Sequence, residues 1–156
     1  MSGARAMEGA GLVSLWRRMC RLYPRGRMGR AMATVIRRYI HWRYACHISP
    51  LSRPAGWINL PHPMGIVVGH DVEIGENATI YQHVTIGQSG REEGYPVVGP
   101  GAVIYAGAVV VGPVRIGREA RIGANSVVLQ DVPDGATSVG APARIVTQKR
   151  KDLLAV

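Results

Sequence analysis

Phenylalanine is absent from the 156 residues, and tryptophan and tyrosine contribute only three and six. That is a poor supply for a thick globular core and suits thin, regular, stacked strands instead. Cysteine is nearly absent too. Cys20 and Cys46 form no CxxC pair and leave no further thiol for a metal cage, so both are expected to be reduced and structural. No apolar run approaches the roughly 20 residues of a membrane span. Nor does the N-terminus carry the apolar run of about 7–15 residues and small-residue cleavage pattern of a secretory signal. A cytoplasmic location is the resulting expectation. What is plentiful is glycine, 20 residues, together with valine, isoleucine and alanine, and the hydrophobic share of 47% excludes a disordered chain.

Acidic residues are also few, ten against nineteen lysines and arginines, for a net charge of +9. The imbalance is local. Residues 1–44 hold ten arginines and one glutamate, whereas residues 45–156 hold nine basic and nine acidic side chains. The basic character belongs to an N-terminal arm and not to the body. Residues 1–11 are small and polar and are expected to be disordered. The spacing predicts helices over 12–23 and 28–44, parted by the turn Pro24 to Gly26, within a basic arm spanning 12–47. In the second helix Met28, Met32, Val35, Ile36, Tyr39, Ile40 and Arg43 follow helical spacing, and the apolar stripe is expected to pack on the body or on a neighbouring subunit. Basic amphipathic helices also suit anionic membrane surfaces. Nucleic acid is not expected as a partner, because only the arm would support it.

Beyond Leu60 the period becomes six. In register the chain reads VGHDVE from 68, IGENAT from 74, IYQHVT from 80 and IGQSGR from 86. It resumes with VGPGAV from 98, IYAGAV from 104, VVGPVR from 110, IGREAR from 116, IGANSV from 122 and VLQDVP from 128. Valine or isoleucine fills the first position in all ten hexads, and glycine the second in six. A helix requires a period of about 3.6 and a half-buried strand a period of 2, so neither accounts for six. Six arises when a short strand turns a sharp corner and restarts, pointing one branched side chain per side inward. Stacked coils then align the branched residues into internal ladders, each coil burying the face of the next.

This pattern resembles the hexapeptide-repeat acyltransferases, and from Leu60 to Val146 it is most similar to serine acetyltransferase and the related O-acetyltransferases of polysaccharide clusters. The stretches that carry the resemblance are LPHPMGIVVG at 60–69, VTIG at 84–87, RIGANSVVLQDVP at 121–133 and GAPARIV at 140–146. The resemblance implies a mainly β chain, a left-handed parallel β-helix over 48–135 with a loop at about 88–97, preceded by the short helical arm. It also implies a homotrimer with sites between subunits, and a C-terminal tail, 136–156, close to coenzyme A. The implied activity is acetyl-CoA-dependent O-acetyl transfer to a small-molecule hydroxyl. Acetyl-CoA is the co-substrate and no metal is expected.

The resemblance puts the general base on His62. A hydroxyl attacks a thioester poorly until a base removes its proton, and imidazole is suited to that near neutral pH. The oxyanion needs a donor, for which amides around Thr85 to Gly87 are candidates. The family's base-orienting aspartate corresponds to His47, which could accept a hydrogen bond but supplies no fixed negative charge. Glu92 and Glu93 are alternative carboxylates. Pro61 stands where serine enzymes carry an aspartate, and Gly94 and Tyr95 precede Pro96 where they carry an Arg-His pair. Tyr95 and Glu93 are therefore the acceptor-binding candidates, and a sugar hydroxyl competes with serine. The pantetheine groove maps onto Thr85, Gly87, Ala106 and Ala124. Arg144, with Lys149, Arg150 and Lys151, offers charge for the phosphates.

Two rival readings remain from the residues. The gamma-type carbonic anhydrases share the repeat and bind zinc through three histidines, and His62, His70 and His83 invite the comparison. Their pair of histidines five residues apart is missing here. A non-catalytic scaffold would need the Val and Ile ladder but neither LPHPMG nor GAPARIV.

Overall fold

The computed structural model describes residues 3–90 and 93–146. Two helices come first, α1 (Gly3–Leu22) and α2 (Gly26–Tyr44). Helix α1 begins well before the expected start at Leu12, so residues 3–11, expected to be disordered, continue the helix. Ala4, Ala6, Met7 and Glu8 are good helix formers, and the turn that follows supplies a nucleus because Leu12, Val13, Trp16 and Met19 are buried. Pro24 and the left-handed Gly26 (φ 72°) separate the helices, and Ala45 (φ 50°) ends α2 in the left-handed conformation.

Fourteen short strands follow among the described residues. They are β1 (His47–Ile48), β2 (Arg53–Pro54), β3 (Val67–Val68), β4 (Glu73–Ile74), β5 (Thr79–Ile80), β6 (Thr85–Gly87), β7 (Val97–Val98), β8 (Val103–Ile104), β9 (Val109–Val111), β10 (Arg115–Ile116), β11 (Arg121–Ile122), β12 (Val127–Val128), β13 (Thr137–Gly140) and β14 (Ala143–Val146). They form three flat parallel sheets. The first face is β1-β3-β6-β9-β12, the second β2-β4-β7-β10, and the third β5-β8-β11-β13 with β14 added antiparallel. The chain visits the faces in turn, so each circuit is one triangular coil of a parallel solenoid.

The hexads explain the interior. Ile48, Val68, Ile86, Val110 and Val128 stack inside the first face, Ile74, Val98 and Ile116 inside the second, and Ile80, Ile104 and Ile122 inside the third, all buried. Ala78, Val84, Ala102, Ala108, Ala120 and Ser126 from the fifth hexad positions fill the corners. Helix α1 covers the open first coil, and Trp16 Nε1 donates to Ser52 Oγ at 2.8 Å, which satisfies the buried indole. At the far end Asp131 and Asp134 accept hydrogen bonds at 2.7 Å from the amides of Arg115 and Arg118. These carboxylates stand in for the carbonyls of a further strand.

Two expectations shift at the ends. The solenoid opens at His47, close to the expected start at 48, although no clean hexad is visible before Val68. Thr137 to Val146, expected as tail, forms the β13-β14 hairpin, because β13 still pairs with β11 before the chain reverses. Residues 147–156 lie outside the described residues.

The second-position glycines are not equivalent. After the second face, the missing Cβ of Gly99 points at backbone of the next coil, within 2.8 Å of Arg118 N and Gly117 C, and Gly75 meets Pro100 in the same way. After the first face, a Cβ on Gly87 would meet nothing within 4 Å. Gly99→Ala is expected to destabilise the fold by about 1–3 kcal/mol through forced backbone displacement, and Gly87→Ala to change stability little. Denaturant unfolding of the two variants checks this, and equal losses would contradict it.

Candidate active site

The register of the coils locates the departures from regularity. His47 pairs with Val67, a step of 20 residues; Val67 pairs with Thr85, a step of 18; Thr85 pairs with Val109, a step of 24; and Val109 pairs with Val127, a step of 18. Two residues beyond eighteen are therefore spent in the first coil and six in the third. Asn59 still bridges Thr79, so the first excess lies between there and β3, in the Pro61–Gly65 bulge. The second excess is the 88–96 loop between β6 and β7. The bulge stands on the edge where the chain enters the first face, and the loop on the edge where it leaves.

His62 sits on the bulge with an exposed side chain, while Pro63 behind it is buried. Its carbonyl accepts from Met64 N at 2.8 Å, and Gly65 N donates to Tyr44 O at 3.2 Å, which ties the bulge to the end of α2. Gly65 holds φ 65°, and a Cβ there would overlap the imidazole of His83 one coil on. The His62 ring lies 6.3 Å from Tyr81, and Tyr81 stacks on Tyr105 at 5.3 Å with an interplanar angle of 21°. The imidazole thus begins an aromatic ladder running down the corner. A groove of about 340 Å³ opens beside it, lined by Trp42, Arg43, Tyr44, Pro61, Pro63 and Met64.

Ala106 and Ala124 occupy this same corner in the third and fourth coils, following β8 and β11. Asn125 N donates to Ala106 O at 2.9 Å between them. Ala106 is half-buried and Ala124 exposed. Thr85 follows the corner, half-buried at the start of β6. The structure therefore aligns His62, Thr85, Ala106 and Ala124 along one edge of the first face. Gly87, buried, lies on the opposite edge, where Gly112 N donates to its carbonyl at 3.0 Å.

The remaining candidates lie elsewhere. His47 is exposed in β1, its ring 6.4 Å from His41 in an edge-on arrangement, in a separate groove with Arg37, Arg38 and Trp42. No hydrogen bond joins His47 to His62 among the described residues, because a strand residue facing outward and a residue on the corner bulge point into different grooves. Tyr95 is packed at the loop edge, 3.7 Å from where a Cβ on Gly69 would lie, and Glu93 is exposed nearby. Within one chain, the strands of the first face separate both from His62. Arg144, exposed in β14, lines a groove of about 430 Å³ with Leu129, Asp131, Ser138 and Ile145 at the last coil. Arg91, Glu92, Lys149, Arg150 and Lys151 lie outside the described residues. His62, His70 and His83 do not converge, and no group of three or more His, Cys, Asp or Glu side chains that could hold a metal ion is present among the described residues.

Tyr81, Tyr105 and Trp42 were not singled out from the sequence. The signal was present for the tyrosines, which replace glycine at the second position of two hexads that follow the same face.

Neither cysteine faces the His62 groove. Cys20 is half-buried and Cys46 buried, both unpaired as disulfides. Burial pushes both thiols above the ordinary cysteine range, partly offset for Cys20 by the hydrogen bond to Ser52 and for Cys46 by the Ile66 amide. They are poor nucleophiles near pH 7.

The family profile described as bacterial transferase hexapeptide (six repeats) matches residues 95–130. A serine acetyltransferase of Bacillus licheniformis is 39% identical over 150 residues, covering 92% of this chain and 68% of that protein. Among solved structures, a serine acetyltransferase in complex with CoA superposes with TM-score 0.79 at 36% identity, covering 86% of this chain and 55% of the other. The Neisseria gonorrhoeae serine acetyltransferase in complex with serine gives TM-score 0.81 at 35% identity, covering 89% and 57%. The chain thus spans little more than half the length of these solved relatives, and the shared fold is the left-handed parallel β-helix.

Cys46, with no exposed surface, is expected to react with a disulfide reagent such as Ellman's at pH 8 at least about tenfold more slowly in the native protein than in denaturant. Rapid labelling of both thiols in the folded state would contradict the burial described.

Proposed function

Since the chain belongs to the serine acetyltransferase family of hexapeptide-repeat acyltransferases, we propose that it transfers the acetyl group of acetyl-CoA directly to the hydroxyl of L-serine. The observation that carries this reading is the single edge on which His62, Thr85, Ala106 and Ala124 align. His62, exposed on its bulge and flanked by Tyr81, is the general base. It removes the hydroxyl proton as the oxygen attacks the thioester carbonyl, and the tetrahedral intermediate collapses with coenzyme A leaving as the thiol. The raised thiol pKa values of Cys20 and Cys46 and their place away from the groove favour direct transfer over an acyl-cysteine.

The coil stack supplies the length of the donor site. Strands of a sheet repeat at about 4.8 Å, and five strand spacings separate the coil of His62 from β14, so His62 and Arg144 lie on the order of 20–24 Å apart along the stack. That is the scale of an extended pantetheine arm, which supports Ala106 and Ala124 as its floor and Arg144 as a phosphate ligand. The small side chains let the arm approach the backbone.

Tyr95, Glu93 and Gly87 stand on the opposite edge from His62. A second copy packed side by side would set its loop edge against the His62 edge, which supports a homotrimer with shared sites and assigns Tyr95 and Glu93 to the acceptor pocket of the neighbour. His47 lies in a separate groove with Arg37, Arg38 and Trp42, which speaks against a role as orienter of His62 within one chain. No described helix is long and apolar enough to cross a membrane, and we place the enzyme in the cytoplasm. Pro61 and Tyr95, which replace serine-recognising residues of the family, favour a second reading in which a sugar hydroxyl is the acceptor.

His62→Ala is expected to lower turnover by about 100-fold or more while leaving the affinity for coenzyme A within about twofold. Steady-state kinetics together with a binding titration check this. Unchanged turnover would overturn the assignment of His62, and parallel loss of affinity would move it to the binding site.

A further inference from the structure

Helix α2 has three faces, and only one of them is packed. Gly29, Ala33 and Ile40 are buried against α1 and the first coil. At about 100° per residue, Met28, Met32, Val35, Tyr39 and Trp42 fall within an arc of about 80° beside that face. All five are exposed, Met28 by 77%, Val35 by 68% and Trp42 by 80%. Of the stripe expected to pack on the body or on a neighbouring subunit, Ile40 and Ile36 pack on the core, whereas Met28, Met32, Val35 and Tyr39 face outward, because the smaller residues Gly29 and Ala33 allow the closer approach to α1. The third face carries Arg27, Arg30, Arg37 and Arg38, all exposed, and α2 contains no acidic residue. Positive charge continues onto α1 and the turn after it, where Arg17, Arg18 and Arg21 of the helix and Arg25 of the turn border a groove of about 480 Å³ with Trp57. None of these four arginines is paired with a carboxylate among the described residues.

Charge selects the occupant. A second copy meeting this stripe symmetrically would bring arginine face to arginine face with no carboxylates between them. Nucleic acid would satisfy the arginines and leave five large apolar side chains unused. An anionic bilayer satisfies both faces at once. Arginine stems reach along the apolar surface to lipid phosphates, and Tyr39 and Trp42, whose rings lie 6.4 Å apart at the end of the helix, suit the headgroup level. We propose that α2 docks this protein peripherally on anionic membranes, with the Met28 to Trp42 stripe entering the headgroup region and the adjacent arginines binding lipid phosphates. The inference is independent of which hydroxyl is acetylated.

Sedimentation of the full chain with vesicles tests it, using phosphatidylcholine alone and phosphatidylcholine with about a third phosphatidylglycerol. Binding is expected to the anionic vesicles only, to fall with added salt, and to weaken by about tenfold or more in the double variant Met28→Asp, Val35→Asp. Both positions are exposed, and circular dichroism verifies folding. Should that variant fail to fold, the Trp57→Phe protein provides the second measurement. Its emission comes from Trp42 and from the fully buried Trp16, which lipid does not reach, and should shift to the blue on anionic vesicles and not on neutral ones. Absence of anionic binding, or of the shift, overturns the proposal. So does retention of binding in a folded double variant, a change in its oligomeric mass without a change in lipid binding, or retention on duplex DNA without lipid binding.

Discussion

Everything in this structure depends on coil closure, the need to bring the chain around three corners and back over itself at strand spacing. Each circuit must point one branched side chain inward per face and turn each corner on residues small enough for the next coil to pass. Eighteen residues accomplish this, which is why Ile104 and Ile122 lie one above another and why a side chain at Gly99 would displace the backbone of the next coil. A chain so regular has few degrees of freedom left for chemistry. The two places where it exceeds eighteen, the bulge carrying His62 and the loop carrying Tyr95, are where side chains leave the stack.

The regular part of the fold was legible because a ladder imposes its period on the sequence. Valine or isoleucine at every first position is a repeated demand of one buried site. The ends were less legible because their constraints are not repeated. The first coil, from His47, contains Pro54 and Trp57 in place of a clean hexad, and it is held instead by α1 through Trp16 and Ser52. The last coil ends on the side-chain caps of Asp131 and Asp134, and the hairpin at Thr137 to Val146 is a strand pairing that no period announces. Helix α1 ran nine residues earlier than its apolar spacing indicated, since its first turns extend from an anchored segment and not from their own amphipathicity.

The site divided in the same way. His62 was visible as a motif, and the repeat register places Ala106 and Ala124 on its edge. Its surroundings were not visible, because Trp42 and Tyr44 approach from α2 and no spacing in the chain relates a helix end to a corner bulge. The substitution of histidine for the family's aspartate at 47 had suggested a weaker partner for His62. The outward direction of a strand residue separates the two rings within the chain, and the ring ladder of Tyr81 and Tyr105 is the structure beside His62. Tyr95 and Glu93 belong by register to the opposite edge of the same face, which is why the proposed acceptor pocket is assigned to a neighbour's loop.

The proposed reaction is acetyl transfer from acetyl-CoA to serine at the edge marked by His62. Its most direct measurement is the release of free coenzyme A thiol from acetyl-CoA by the purified protein, with and without L-serine. Release that depends on serine and saturates with it is expected. Absence of serine-dependent release by a protein that still binds acetyl-CoA would contradict serine as the acceptor, and failure to bind acetyl-CoA at all would contradict the transferase itself.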